Sequence, residues 1–494
     1  MNEKMELPQG WAIEKLGDVC FTTSGGTPSR KIDSYYCGNI PWVKSGELDK
    51  GLITKTEEFI SEEAVKKSSA KIFPKGTLLI ALYGATIGKL GFLGVAAATN
   101  QAICGIFKNE VIELQFLKYY LFNKRNKLIE QGAGGAQPNI SQTILKELDV
   151  VIPPLPEQHR IVAKIEELFS SLDKGIENLK TAQAQLKTYR QAVLKWAFEG
   201  KLTNMSESGL GGLQDDRMKA VEQEIPQSPN SPILNSPILQ SSNPENPDSD
   251  NGELPKGWKW EKLGQLIEKP KYGTSKKCNY DVEGIGVLRI PNISNGYIDA
   301  SDLKSAVFDE KEKDDLCLRK GDILTIRSNG SVDLVGKCAL INKKDETYLY
   351  AGYLIRLRPL THSILPKYLL YLMSSKELRL QIESKAKSTS GVNNINSQEL
   401  CSLIIPLAPL PEQSRIVTEI ETRLSVCDKL EESITQSLSQ AEALRQSILK
   451  KAFEGKLVPQ DPTDEPASVL LERIRALRQA QGPAKKTRTT KGKN

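Results

Sequence analysis

The sequence predicts a mixed α+β fold built twice: two globular α/β blocks, each followed by a long helix, with the two helices paired as a coiled coil. Three observations predict it. The chain repeats itself with a period near 250 residues, each repeat closes on five proline-free heptads, and short β-like runs punctuated by glycine fill the stretch before them.

The repeat is read from three matched segments. Leu7-Pro-Gln-Gly-Trp-Ala-Ile-Glu-Lys-Leu-Gly17 returns as Leu254-Pro-Lys-Gly-Trp-Lys-Trp-Glu-Lys-Leu-Gly264, Pro154-Leu-Pro-Glu-Gln158 as Pro409-Leu-Pro-Glu-Gln413, and QAVLKWAFEGKL at 191–202 as QSILKKAFEGKL at 446–457. A period this long belongs to two complete modules, since solenoid repeats run to 20–50 residues. Residues 154–202 and 409–457 align without a gap, with 25 of 49 positions identical. The preceding blocks drift in offset from 247 to 245 and then to 255, so their loops differ in length. They share only short signatures: Lys75-Gly76 with Lys320-Gly321, Lys118-Tyr119 with Lys367-Tyr368, and Asn139-Ile140 with Asn394-Ile395.

Each helical segment starts behind prolines, which suit a first turn, and stops at a glycine, Gly200 or Gly455. Apolar residues recur every seventh position at Ile165, Leu172, Leu179, Leu186 and Val193, and again at Ile420, Cys427, Ile434, Ala441 and Ile448. Leu168, Ala182, Tyr189 and Trp196 fall between them in the first copy, and Leu430 and Leu444 in the second. This is a 3–4 alternation, the seam of a coiled coil, and the gapless length agrees because one inserted residue would swing the seam by about 100°. The other copy is the natural partner for such a stripe.

Six segments result. Residues 1–152 and 253–407 are α/β blocks, with β-like runs at Thr77-Leu-Leu-Ile-Ala-Leu-Tyr83 and Asp322-Ile-Leu-Thr-Ile-Arg327 and short helices near 113–130 and 365–385. Residues 153–202 and 408–457 are the long helices. Residues 203–252, dominated by Asn, Ser, Pro and Gly, read as a disordered linker. Residues 458–494 form a C-terminal extension whose basic tail is expected to be unfolded.

Composition excludes several classes. The chain has 494 residues, 26% of them charged, and no apolar run approaching the ~20 residues of a membrane span; its polar first ten residues predict no secretory signal. Eight scattered cysteines form no C-x-x-C pair, and His159 and His362 are the only histidines, which argues against a zinc site and for reduced thiols in a cytoplasmic protein. The net charge of +6 says little about partners, because residues 473–494 alone hold eight Lys/Arg and no acid. Gly84-Ala-Thr-Ile-Gly88-Lys89 is one residue short of a phosphate loop and has Leu90 where the magnesium-binding hydroxyl belongs. The glycine run 132–136 lacks the preceding strand of a dinucleotide fingerprint and reads as a turn. No methyltransferase, nuclease or ATPase constellation is present, so the chain is expected to bind rather than catalyse, with no catalytic residue, metal or cofactor of its own.

Two variable blocks, each opened by Leu-Pro-x-Gly-Trp and closed by Pro-Leu-Pro-Glu-Gln-x-Arg-Ile-Val, resemble the specificity (S) subunits of type I restriction–modification enzymes. The doubled Ala-Phe-Glu-Gly-Lys-Leu ends, Gly84-Ala-Thr-Ile-Gly-Lys89, Gln137-Pro-Asn-Ile-Ser141 and Lys456-Leu-Val-Pro-Gln-Asp-Pro-Thr-Asp-Glu-Pro-Ala467 extend the likeness over nearly the whole chain outside 203–252 and the tail. The resemblance implies two target recognition domains at opposite ends of an antiparallel helical pair, related by a pseudo-twofold repeat. Each would read half of a bipartite double-stranded DNA site. It further implies two methylation (M) subunits using S-adenosylmethionine, and restriction/translocase (R) subunits using ATP and Mg, making this chain the non-catalytic subunit of a site-specific deoxyribonuclease and adenine methyltransferase. One departure is that the Val-Pro-Gln-Asp-Pro extension follows only the second helix. A related two-recognition-domain system with a fused nuclease–methylase partner is the alternative, which a neighbouring gene for a separate ATP-dependent translocase would exclude. A coiled-coil scaffold without sequence preference is disfavoured, because it has no use for two divergent heads.

Recognition residues do not carry over from such a resemblance, so the DNA-contact candidates rest on residue type near the strand–turn signatures. They are Arg30, Lys31, Lys44, Lys89, Asn100 and Gln101 in the first block. In the second they are Lys276, Lys277, Arg289, Asn292, Arg327, Ser328, Asn329 and Lys337. Arg and Lys suit guanine edges or phosphates, and Asn and Gln suit adenine edges.

Overall fold

The computed structural model describes residues 7–131, 139–203, 254–389 and 391–480. The glycine run 132–136, nearly all of the linker 203–252 and the tail beyond 480 lie outside these residues. The chain divides into two compact units, Met1–Glu177 with Ser437–Asn494, and Asn178–Gln436. Each unit therefore holds one globular block together with parts of both long helices, Leu155–Phe198 and Leu410–Phe453, which are uninterrupted over 44 residues each.

Within the second unit, Arg190 bridges to Asp428 at 2.7 Å and Glu431 at 2.9 Å, and Thr203 donates to Glu412 at 3.5 Å. The partner number falls as the first rises, so the helices run antiparallel. Within the first unit, Arg445 pairs with Asp173 and lies 4.8 Å over the Phe169 ring. The Asp173–Arg445 and Asp428–Arg190 pairs occupy the same two repeat positions with the copies exchanged, the mark of the pseudo-twofold repeat. All ten heptad positions are at least partly sheltered: Ile165, Val193, Ile420, Cys427, Ala441 and Ile448 are buried, whereas Leu172, Leu179, Leu186 and Ile434 are half-buried. The difference has a physical source. Ile165, Val193, Ile420 and Ile448, nearer the helix ends, also share a core with block helices, while Cys427 and Ala441 are smaller side chains at the positions where the other copy has the half-buried Leu172 and Leu186. Two interleaving positions fail to bury their side chains: Tyr189 and Leu444 are exposed.

In the first block, a five-stranded sheet runs in the order Thr22–Ser24, Ile103–Ile106, Leu78–Ala81, Leu90–Leu93, Leu52–Ile53. A four-stranded sheet, Glu58–Ile60, Ile40–Val43, Ala97–Thr99, Ile72–Phe73, accompanies it. The second block repeats the first four strands of the five-stranded sheet as Lys271–Tyr272, Leu354–Leu357, Ile323–Ile326 and Cys338–Leu340. Leu78–Ala81 and Ile323–Ile326 are buried throughout, as expected of central strands. The turns leading into them need a positive φ at Gly76 (85°) and Gly321 (97°), which explains the shared Lys-Gly signature. The block helices are Leu114–Asn123 and Arg125–Gln131, matched by Pro366–Met373 and Lys376–Lys385.

The repeated motifs clasp one another across the copies. Gly455 (φ 70°), ending the second helix, packs against Pro8 of the first Leu-Pro-x-Gly-Trp, and Gly200 (φ 71°), ending the first helix, packs against Pro255 of the second. Phe453 meets Tyr120 edge-on at 5.1 Å, and Phe198 meets Tyr368 at 5.3 Å. The Tyr120 hydroxyl donates to Asp149 O and that of Tyr368 to Pro406 O, each in the strand before a long helix. Tyr120, not Tyr119, is thus the counterpart of Tyr368, and the Lys-Tyr signature is displaced by one residue. Gln158 and Gln413 play one part in both units. Each accepts a backbone N–H (Glu113, Leu365) and donates to two carbonyls, Val111 and Pro153 in one case, Ser363 and Ala408 in the other.

The C-terminal extension is more ordered than a basic tail suggests. Ala467–Ala480 is helical, with Ala467 and Leu471 buried in the first unit's core, Arg160 bridging to Asp464 at 2.6 Å and Arg475 to Glu14 at 2.7 Å. Among the described residues no helix is long and apolar enough to cross a membrane.

Candidate nucleic-acid interface

In the first block, five of the six candidates gather around the strand Ile40–Val43. Arg30 stacks on Tyr36 at 4.1 Å and lies 5.2 Å from the Trp42 ring while bridging to Glu58 at 2.7 Å. Lys44 follows the same strand and bridges to Glu57 and Glu58 at 2.9 and 3.1 Å. Burial pushes the Glu58 carboxyl up, but the bonds from Lys44 and Arg30 outweigh it and hold the group below the usual carboxylate range. Asn100 reaches this strand through its N–H to Val43 O, and its side-chain oxygen is buried with no hydrogen-bond partner. Gln101 takes a bond from the Thr27 hydroxyl, and Lys31 is exposed. Lys89 stands apart, paired with Asp49.

In the second block six of the eight candidates form two groups. Lys276 and Arg289 lie with Lys304 about the exposed ring of Tyr280 and the Cys278 thiol. Arg289 is 5.9 Å and Lys304 4.8 Å from the ring centre, and burial raises the thiol pKa while the three cations pull it down. Lys276 also bridges to Glu312, Arg289 to Asp302, and Lys277 is exposed. The other group is Arg327, Ser328 and Asn329. Here Ser328–Asn329 pairs antiparallel with Asn393 and Asn394 of the strand Val392–Asn394, which in turn pairs with Lys387–Thr389. Arg327 donates to Asn394 Oδ1 at 3.2 Å over the Tyr272 ring at 4.8 Å, and Asn393 donates to Gly330 O at 3.0 Å. Such a ribbon edged with amides and a guanidinium matches the donors and acceptors of a major groove.

Asn292 does not belong to either surface. It is 1% exposed, accepts the Arg289 N–H and donates to Asp299 O and Asp302 O at 2.8 Å each. Its amide is spent holding its own loop, so it is withdrawn from the contact candidates. Tyr280, Lys304, Tyr272, Asn393 and Asn394 were not singled out by sequence. The one signal available for them was the Asn394-Ile395 signature, matched at Asn139, which bridges to Tyr83.

A family model described as the type I restriction modification DNA specificity domain matches residues 8–187 and again 255–440. The chain is 28% identical over 500 residues to the type I restriction enzyme EcoKI specificity subunit of Escherichia coli (strain K12), covering 98% of each chain. It is 26% identical over 499 residues to the type I restriction enzyme StySPI specificity subunit of Salmonella potsdam, again covering 98% of each. Among solved structures, a chain from an assembly of the type I R-M system superposes with a TM-score of 0.65 at 21% identity, over 91% of this chain and 99% of that one. The HsdS subunit from Thermoanaerobacter tengcongensis gives 0.54 at 21% identity, over 92% and 99%. These two likenesses are of fold.

Proposed function

Because the chain belongs to the type I restriction–modification DNA specificity family, as a non-catalytic subunit, we propose that each of its blocks, 1–152 and 253–407, reads one half of a bipartite double-stranded DNA site. In this reading partner methylation subunits modify adenine using S-adenosylmethionine, and restriction/translocase subunits cleave using ATP and Mg. The chain tells them where. The observation that supports this most directly is one scaffold present twice with different surfaces. The central strands, clasps and glutamine anchors repeat, whereas the surface side chains differ: Arg30 lies over Tyr36 and Trp42 in one block, and Arg289 and Lys304 flank Tyr280 in the other. The contacts proposed are Arg30, Lys31, Lys44, Lys89, Asn100 and Gln101 for one half-site, and Lys276, Lys277, Arg289, Arg327, Ser328, Asn329 and Lys337 for the other.

The test is a block exchange. Replacing residues 1–152 with the corresponding block of a relative that has another target should alter one half of the methylated sequence and leave the other unchanged. Alteration of both halves, or of neither, would refute the assignment.

A further inference from the structure

The Gly-Lys at 88–89 is no phosphate loop, since the strand Leu90–Leu93 follows it where a helix would be required. It is a tight turn, and the second block contains the same turn at Gly336-Lys337, hidden from sequence comparison by extra residues between the flanking strands. Gly88 (φ 73°) donates its N–H to Ala81 O at 2.8 Å, and Ala81 N–H returns to Lys89 O at 2.9 Å. Gly336 (φ 79°) donates to Ile326 O at 2.7 Å, and Ile326 N–H returns to Lys337 O at 2.9 Å. In each block an arginine from the neighbouring helix binds the carbonyl just before the glycine: Arg125 to Ile87 O at 3.0 and 3.2 Å, and Arg379 to Val335 O.

Folding explains the glycine, which needs its positive φ and would drive a Cβ into Arg125 or Ile382, and it explains the arginine. It does not explain the lysine. Only the backbone of Lys89 and Lys337 takes part in the turn. The Lys337 side chain is exposed and forms no ion pair among the described residues, and Lys89 has only Asp49, a 62% exposed carboxylate that an anion can replace. A side chain kept at one place in two heads whose loops differ in length serves something both half-sites share. Bases differ between half-sites, whereas the phosphate backbone is the same at both.

On the reading that each block binds DNA, we propose that Lys89 and Lys337 are the sequence-independent grips of the two heads, each holding a backbone phosphate and setting the register from which the divergent surfaces read bases. They are positioning residues, and their signature is electrostatic. Each phosphate neutralised contributes about 0.9 to the slope of log affinity against log salt.

The experiment uses the full chain assembled with its methylation subunits. Binding to a cognate duplex is titrated from 50 to 300 mM salt for the wild type, Lys89→Gln, Lys337→Gln, the double variant and the two Lys→Arg variants, with Tm and the genomic methylation motif read alongside. Each Lys→Gln should flatten the slope by about 0.9 and the double by nearly two, with Lys→Arg close to wild type and both half-sites unchanged. An unchanged slope would overturn the proposal. So would an altered base in one half-site, which would make the lysine a reader, or loss of methylation-subunit assembly at unchanged Tm, which would assign it to a protein contact. A wild-type complex lacking a bipartite motif would instead sink the underlying DNA-reading assignment.

Discussion

Gly455 should be among the least replaceable residues of the first unit, and Gly455→Ala measures why. At φ 70° an alanine occupies the left-handed region, which costs about 1–2 kcal/mol. Its Cβ would lie 2.3 Å from Pro8 Cγ and 3.1 Å from Pro8 Cβ, inside ordinary carbon–carbon contact distance, so the proline must shift. Overpacking of this kind adds about 1–3 kcal/mol. At about 2–4 °C per kcal/mol for a unit of this size, the midpoint should fall by about 10 °C. Gly175→Ala is the internal control, in the same unit and with the opposite sign. It lies within the helix Leu155–Phe198 with nothing within 4 Å of the new Cβ, so it should gain about 0.5–1 kcal/mol. Denaturant unfolding of both variants, and of Gly455→Ala with Pro8→Ala, completes the test. Removing the proline ring should return the steric part of the loss and leave the backbone part, so the two substitutions should couple. A neutral Gly455→Ala, or strict additivity with Pro8→Ala, would refute the clasp.

Two further outcomes follow from buried polar groups. Asn292→Ala removes all three hydrogen bonds of a buried amide, so denaturation should show a loss of about 1–3 kcal/mol while methylome sequencing finds the motif unchanged; a changed motif would restore Asn292 as a reader. Burial raises the Glu157 carboxyl above its ordinary pKa, against the pull of the Trp11 indole N–H and Arg160. Ionisation is therefore harder in the folded chain, and this group's contribution is greatest below the unfolded-state pKa and is lost as pH rises through the folded one. Glu157→Gln keeps an acceptor for Trp11 and should gain on the wild type as pH rises through and above the usual carboxylate range in denaturation series; a wild type that gains on the variant over that rise would show the sign to be wrong.

Much of the architecture was legible in the one-dimensional pattern. Heptads, proline starts and glycine stops are local features, so Ile165 to Val193 and Ile420 to Ile448 could be assigned to a seam before any contact was known. Central strands such as Leu78–Ala81 and Ile323–Ile326 announced themselves as short apolar runs for the same reason. The candidate surface was legible only by residue type. Type did not distinguish Arg327, whose guanidinium lies at the amide ribbon, from Asn292, whose amide is turned inward. It also missed Asn393, which enters the ribbon by pairing with a strand more than sixty residues away.

The sequence by itself determined that the chain is a duplicated reader-like module with paired long helices, because repetition and periodicity survive without knowledge of the fold. Tertiary structure decided how the copies are shared out. Each compact unit takes its glycine clasp and its Arg–Asp bridge from both copies, as Pro8 with Gly455 and Asp173 with Arg445 show. It also decided that residues 467–480 fold, since a helix that charged is stabilised by the core that buries Ala467 and Leu471. Contacts between positions hundreds of residues apart leave no local pattern, and only the folded chain brings them together.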